Sequence, residues 1–141
     1  MSIQVLLDAA EHPARSASIQ SITAVENKDR EAWLALWDEN GSIEDPVGSS
    51  PLDPGGQGHR GIEAVTNFYD KVIAPADLRF QIRQTFACGS ECANVGTITS
   101  RMGNGSVSRT ELVMILRVGD DGKLLSLRAF WEFAATLASM Y

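Results

Sequence analysis

The chain is poor in the residues from which metal and disulfide sites are built. Two cysteines, Cys88 and Cys92, stand in a C-x3-C spacing, and the only histidines, His12 and His59, lie far from them in sequence. A zinc site takes about four ligands, so no zinc set is expected, and the cysteines read as free thiols near a strand-to-strand connection. Basic residues are also scarce. Twelve Lys and Arg against 18 Asp and Glu give a net charge of −6, which argues against nucleic acid or an anionic membrane surface as the partner. No apolar run approaches the roughly 18 residues of a membrane span. The N-terminus lacks a basic stretch before Val5-Leu6-Leu7, and Asp8 follows at once. A secretory signal is therefore not expected, and the cytoplasm is the expected location. What remains is an ordinary globular composition, 44% hydrophobic and 21% charged in 141 residues, enough for one domain with a core of its own.

Hydrophobic periodicity divides the chain in two. Residues 1–15 read as an added N-terminal segment holding one short helix that ends before Pro13. Over Ser16 to Asn27, Ile19, Ile22 and Val25 recur at three-residue steps, which predicts a helix with one buried stripe. Asp29 is placed to cap a second helix in which Trp33, Leu36 and Trp37 share a face, stopped at Asn40-Gly41. Ser42 to Asp45 reads as a short extended piece before Pro46. After a loop rich in glycine and proline, a third helix over 61–74 puts Val65, Phe68, Tyr69, Val72 and Ile73 on one side. Beyond Pro75 the period becomes alternating, and four strands are expected over 78–86, 92–102, 106–118 and 123–133. Asn104-Gly105 and Asp121-Gly122 are hairpin signals between them. Helices first and an antiparallel meander after them give an α+β fold with the helices on one sheet face. A sheet curled round helices forms a cone whose inner wall is lined by alternate strand residues.

Asp45 stands out in that arrangement. The sketched fold brings it among Trp37, Phe68, Tyr69 and Trp131, where a carboxylate loses hydration and its pKa rises toward the range useful for moving protons. The alternative is a surface aspartate capping the turn at Pro46-Val47-Gly48. Gly56-Gln57-Gly58-His59-Arg60-Gly61 matches G-x-G-x-x-G, but no strand precedes it and no βαβ unit surrounds it, so no dinucleotide cofactor is expected. The glycines fit a long loop bending over the mouth of the cone.

The stretches IEDPVGSSP and HRGIEAVTNFYDKVI, with LLSLRAFW near the C-terminus, closely resemble the bacterial ketosteroid isomerases of the NTF2-like superfamily. The resemblance covers Ser16 to Phe133. It implies a curved sheet wrapped on three helices, a steroid-like ketone as ligand, no cofactor, and a homodimer packed through the outer sheet face. The aspartate of the family's E-D-P motif removes a proton α to the ketone and returns it two carbons away, a role that falls on Asp45. Trp37, Phe68, Tyr69 and Trp131 match pocket positions, with Trp131 near the base and Tyr69 hydrogen-bonding within a polar network.

The chain departs from the family at the oxyanion hole, which pairs a tyrosine on the first helix with a protonated aspartic acid on the third long strand. Counting from the motifs puts these positions at Ser21 and Met114, and a thioether donates no hydrogen bond. Substitute donors are Ser21, the Trp37 indole N–H, Thr97 and Thr99. The same count puts Thr97, Thr99 and Arg101 on the inner face, with Arg101 reading as a solvated hairpin end. Two other readings stay open on this scaffold: a polyketide cyclase-like or epoxide hydrolase-like enzyme, and a non-catalytic protein that binds an apolar ligand. The epoxide hydrolase version needs a second inward carboxylate, and Glu111 has the wrong strand parity to supply it. Dimerisation has its own signal. Val113 and Ile115 alternate with Leu112, Met114 and Leu116, so this strand is apolar on both faces and is expected to be covered on both.

Overall fold

The computed structural model describes residues 3–141. A short helix α1 (Gln4–Asp8) precedes α2 (Pro13–Glu26). Proline suits the first helical turn, where its missing N–H leaves nothing unsatisfied. The His12 ring accepts from the Ala14 N–H and caps the end. So α2 starts three residues before the expected Ser16, and its buried stripe runs from Ala14 through Ser18 and Ser21 to Val25. Leu6 of α1 is 1% exposed and packs in the main core, so the N-terminal stretch shares that core.

Asp29 accepts from the Ala32 N–H and caps α3 (Arg30–Ala35) as expected, but the helix ends five residues before Asn40-Gly41. Strand β1 (Trp37–Glu44) begins almost at once. Sheet pairing explains the early stop, since Trp37 pairs with Leu124 and the Leu124 N–H donates to Leu36 O at 2.8 Å. A Cβ on Gly41 would stand 2.6 Å from the Trp37 ring, so only glycine lets the strand fold against its own tryptophan. After β2 (His59–Arg60), α4 (Ile62–Phe68) runs on into one wide π-helical turn, Tyr69–Ile73.

Strands β3 (Ala76–Cys88), β4 (Glu91–Met102), β5 (Val107–Val118) and β6 (Leu124–Phe130) complete a six-stranded sheet in the order β2-β1-β6-β5-β4-β3. β1 runs parallel to β6, and the other neighbours are antiparallel. The sheet bends at a bulge between Ile82 and Gln84, opposite Gly96. A Cβ on Gly96 would lie 2.2 Å from Gln81 O, so the backbones meet there as no larger residue permits. The result is the expected α+β cone, with the helices in its concave face. The last strand is shorter than expected. It stops at Phe130, because Trp131 turns inward, and a short helix α5 (Phe133–Ala138) follows. No helix among the described residues is long and apolar enough to cross a membrane.

Candidate active site

A cavity of about 330 Å³ fills the cone. Its wall is mostly apolar, with Phe80, Ile98, Leu112, Met114 and Leu116 from the sheet facing Ile22 and Val25 of α2. Asp45, just past the end of β1, is the one charged residue among those lining it. The chain beyond Asp45 is tied to β6 by the Val47 N–H donating to Ala129 O at 2.9 Å. The Asp45 carboxylate is part of the cavity wall. The Trp131 indole Nε1–H donates to Asp45 Oδ1 at 2.6 Å. Burial pushes the Asp45 pKa above the ordinary aspartate value. The Trp131 hydrogen bond and the field of His59 pull it back only in part. The His59 ring packs against Phe68 at 5.0 Å, between β2 and α4.

The cavity brings together Asp45, Ser21, Phe68, Met114 and Trp131 of the residues singled out from sequence. Four others lie elsewhere. Trp37 is buried but sits behind Trp33, ring centroids 5.4 Å apart, because the early end of α3 puts it in the strand. Its indole Nε1 is buried without a hydrogen-bond partner and does not face the cavity. Tyr69 packs its ring on Trp33 at 5.2 Å, where the wide turn carries it out of the lining. The expected Tyr69 hydrogen bond is absent from this arrangement.

Thr97 and Thr99 point to the outer sheet face, contrary to the sequence count. The inward residues of β4 are Ile98, Ser100 and Met102. Thr97 instead accepts from Arg83 Nη1 at 2.7 Å and donates to Glu111 at 2.8 Å, an outer-face network. Arg101 is exposed at the end of β4, and Glu111 is outward as its parity required. The count failed because β4 carries apolar residues on both faces, Ala93 and Val95 outside and Ile98 inside, so alternation does not mark the inner side.

Trp33 was missed. It lines the cavity, is 1% exposed, and donates its indole N–H to Ser21 Oγ at 3.1 Å. The hydroxyls of Ser100, Ser108, Thr110 and Thr136 were also missed, and they too face the cavity. Placing β4 by Ile98, the only large apolar residue between Val95 and Met102, would have found Ser100.

An apolar conical pocket with one desolvated carboxylate at a strand end defines a small-molecule site of the NTF2-like kind. Residues 19–127 match the SnoaL-like domain, and the chain belongs to that family. It is similar to a Δ5-3-ketosteroid isomerase from Mycobacterium sp., with 34% identity, TM-score 0.84, and 93% of this chain and 98% of that one covered. It is equally similar to RV0760c from Mycobacterium tuberculosis, solved in complex with estradiol-17β-hemisuccinate (34% identity, TM-score 0.84, 93% and 99% covered). An LEH-like epoxide hydrolase from M. tuberculosis shares the fold at 16% identity (TM-score 0.75, 90% and 88% covered). No curated protein sequence matches this one.

Proposed function

We propose that the protein moves a C=C bond along an enolisable steroid-like ketone by proton transfer, with Asp45 as the base. The observation that carries this reading is the lone carboxylate in an apolar cavity, its Oδ1 held by Trp131 and its pKa raised by burial. Hydrogen bonding at one oxygen leaves Oδ2 free to take the proton from the carbon α to the ketone. Asp45 then becomes a neutral acid, the form that its apolar surroundings favour. With water excluded, the same proton returns to the far end of the dienolate, and no oxidant or cofactor enters the balance. The likeness to ketosteroid isomerases supports a steroid-like ligand.

As the proton leaves, negative charge develops on the ketone oxygen. Ser21 is the available donor. Its oxygen accepts from Trp33, so its own O–H is left to donate, and the indole increases that hydroxyl's polarity. Met114 offers nothing opposite. Loss of one oxyanion donor costs about 2.7–4 kcal/mol in a well-studied hydrolase, so a slow isomerase is expected. An epoxide hydrolase is disfavoured because no second carboxylate lines the cavity.

The test is the Asp45→Asn variant assayed on a Δ5-3-ketosteroid by the ultraviolet absorbance of the conjugated product. Activity should vanish while the fold persists. Unchanged turnover would remove Asp45 from the reaction.

The protein is further proposed to form a homodimer through the outer sheet face. Two adjacent rungs there carry three apolar residues each, Phe86–Ala93–Ile115 ending at Arg128 and Val95–Val113–Phe130 starting from Gln84. Phe86 is 59% and Phe130 41% exposed in the single chain. Large aromatics left open on the outer face of a sheet mark a contact surface.

A further inference from the structure

The cavity lining carries polar side chains in two groups. One is the region of Asp45 and Ser21. The other lies near the β4–β5 turn, where Ser100 of β4 pairs directly across from Ser108 of β5, both facing inward. Thr110 follows on β5, and its hydroxyl lies 3.1 Å from that of Thr136 on α5. On β5 Leu112 comes between Met114 and Thr110, while Phe80 and Ile98 share the rung of Thr110 and form the apolar wall beside it.

These hydroxyls are not used up by the protein. A hydroxyl donates once and accepts up to about two bonds. Thr110, 8% exposed, and Thr136 share one bond, which leaves one O–H of the pair free. Ser100 and Ser108 bond to no other side chain among the described residues.

The spacing has a meaning for the ligand. Trp131, which holds the base, stands one residue past the Phe130–Val113 pair and so roughly level with Leu112. Thr110 and Ser108 lie two and four residues further along β5, about 7 and 14 Å at the rise of a strand. A fused four-ring skeleton with its ketone ring at Asp45 reaches this cluster with its opposite end.

We propose that Ser100, Ser108, Thr110 and Thr136 form a second polar subsite that binds an oxygen at the far end of the ligand. This rests on the reading of the cavity as a pocket for a steroid-like ketone.

The test uses two phenolic four-ring steroids that differ only in the terminal five-membered ring, one bearing a hydroxyl there and one fully reduced. Trp33 and Trp131 line the cavity, so quenching of tryptophan fluorescence reports both affinities. The hydroxylated probe should bind the parent at least about tenfold more tightly, the value of one well-made hydrogen bond. In a Ser108→Ala, Thr110→Val, Thr136→Val variant that preference should fall to about twofold or less, with the reduced probe binding as before. Should that variant fail to fold, Thr136→Val alone serves, since α5 buries no residue, and it should lower the preference in part. A reduced probe that binds the parent as tightly as the hydroxylated one overturns the subsite and leaves the steroid pocket standing. A preference that survives the substitutions overturns it too. If neither probe binds the parent, the steroid reading falls and the subsite with it.

Discussion

Replacing Trp131 with phenylalanine tests the balance of forces on the Asp45 carboxylate. The substitution keeps a ring beside Phe133, 5.9 Å away, and removes only the N–H that reaches Asp45 Oδ1 at 2.6 Å. That hydrogen bond stabilises the charged carboxylate and so opposes burial, which raises the pKa. Removing it lets the pKa climb further. Hydrogen bonds to charged groups contribute about 1.5–3 kcal/mol. Trp131 is half-buried, so the lower end applies, and the Asp45 titration moves up. Carbon-13 NMR of aspartate-labelled protein measures this without any substrate, with Asp45→Asn assigning the resonance. Turnover of a ketosteroid should follow: the acidic limb of the pH profile shifts upward by the same amount, and activity well above it is retained. An Asp45 midpoint equal in parent and variant would refute the account of how this carboxylate is tuned.

Three more outcomes follow from the same geometry. Asp45→Asn should make the protein more stable at neutral pH. The folded pKa lies above the unfolded one, so the parent loses stability as pH rises from the ordinary aspartate value to the raised one, by about 1.4 kcal/mol per unit of separation. The variant's advantage, read from urea midpoints, should therefore grow as pH rises above the ordinary aspartate range and close below it. Met114→Asp puts a carboxylic acid in apolar surroundings, where it stays protonated and donates. It should speed ketosteroid isomerisation at least about tenfold, well short of the full value of one donor because the fit is imperfect. Phe86→Asp places a charge on the outer apolar rung and should convert a dimer to a monomer. Light scattering at tens of micromolar checks this, and a monomeric parent would count against the dimer.

The cap of α3, the hairpin turns and the carboxylate that lines the cavity were legible because each rests on a few adjacent residues. Asp29 caps α3, and Asp45 follows from a short motif with its flanks. Features that depend on residues distant in sequence were not. The end of α3 is decided by pairing with Leu124, far along the chain. The inner face of β4 is hidden because the strand is apolar on both sides, so Thr97 and Thr99 were placed inside although Ser100 is the hydroxyl that faces the cavity. Trp33 and Trp37 share a helical face only if the helix continues. Its stop at Ala35 gives the cavity to Trp33 and leaves Trp37 behind it. The C-terminal helix lacks a strong periodic pattern, and α5 has no buried residue to signal it.

That last property governs how the cavity fills and empties. Phe133, Leu137 and Met140 form part of its wall, yet α5 is held chiefly by the paired backbones of Val107 and Tyr141 and by Ser139 against Arg109. A wall with so little buried surface opens at small free-energy cost, while the sheet stays closed. Amide protons over 136–141 should therefore exchange with solvent far faster than those of β4 and β5. A ligand occupying the cavity gives Leu137 and Met140 the apolar contact they otherwise lack, so the slowing of exchange on binding should be concentrated in this segment. Ligand exchange is then expected to follow local opening of residues 133–141, at a rate independent of the stability of the cone.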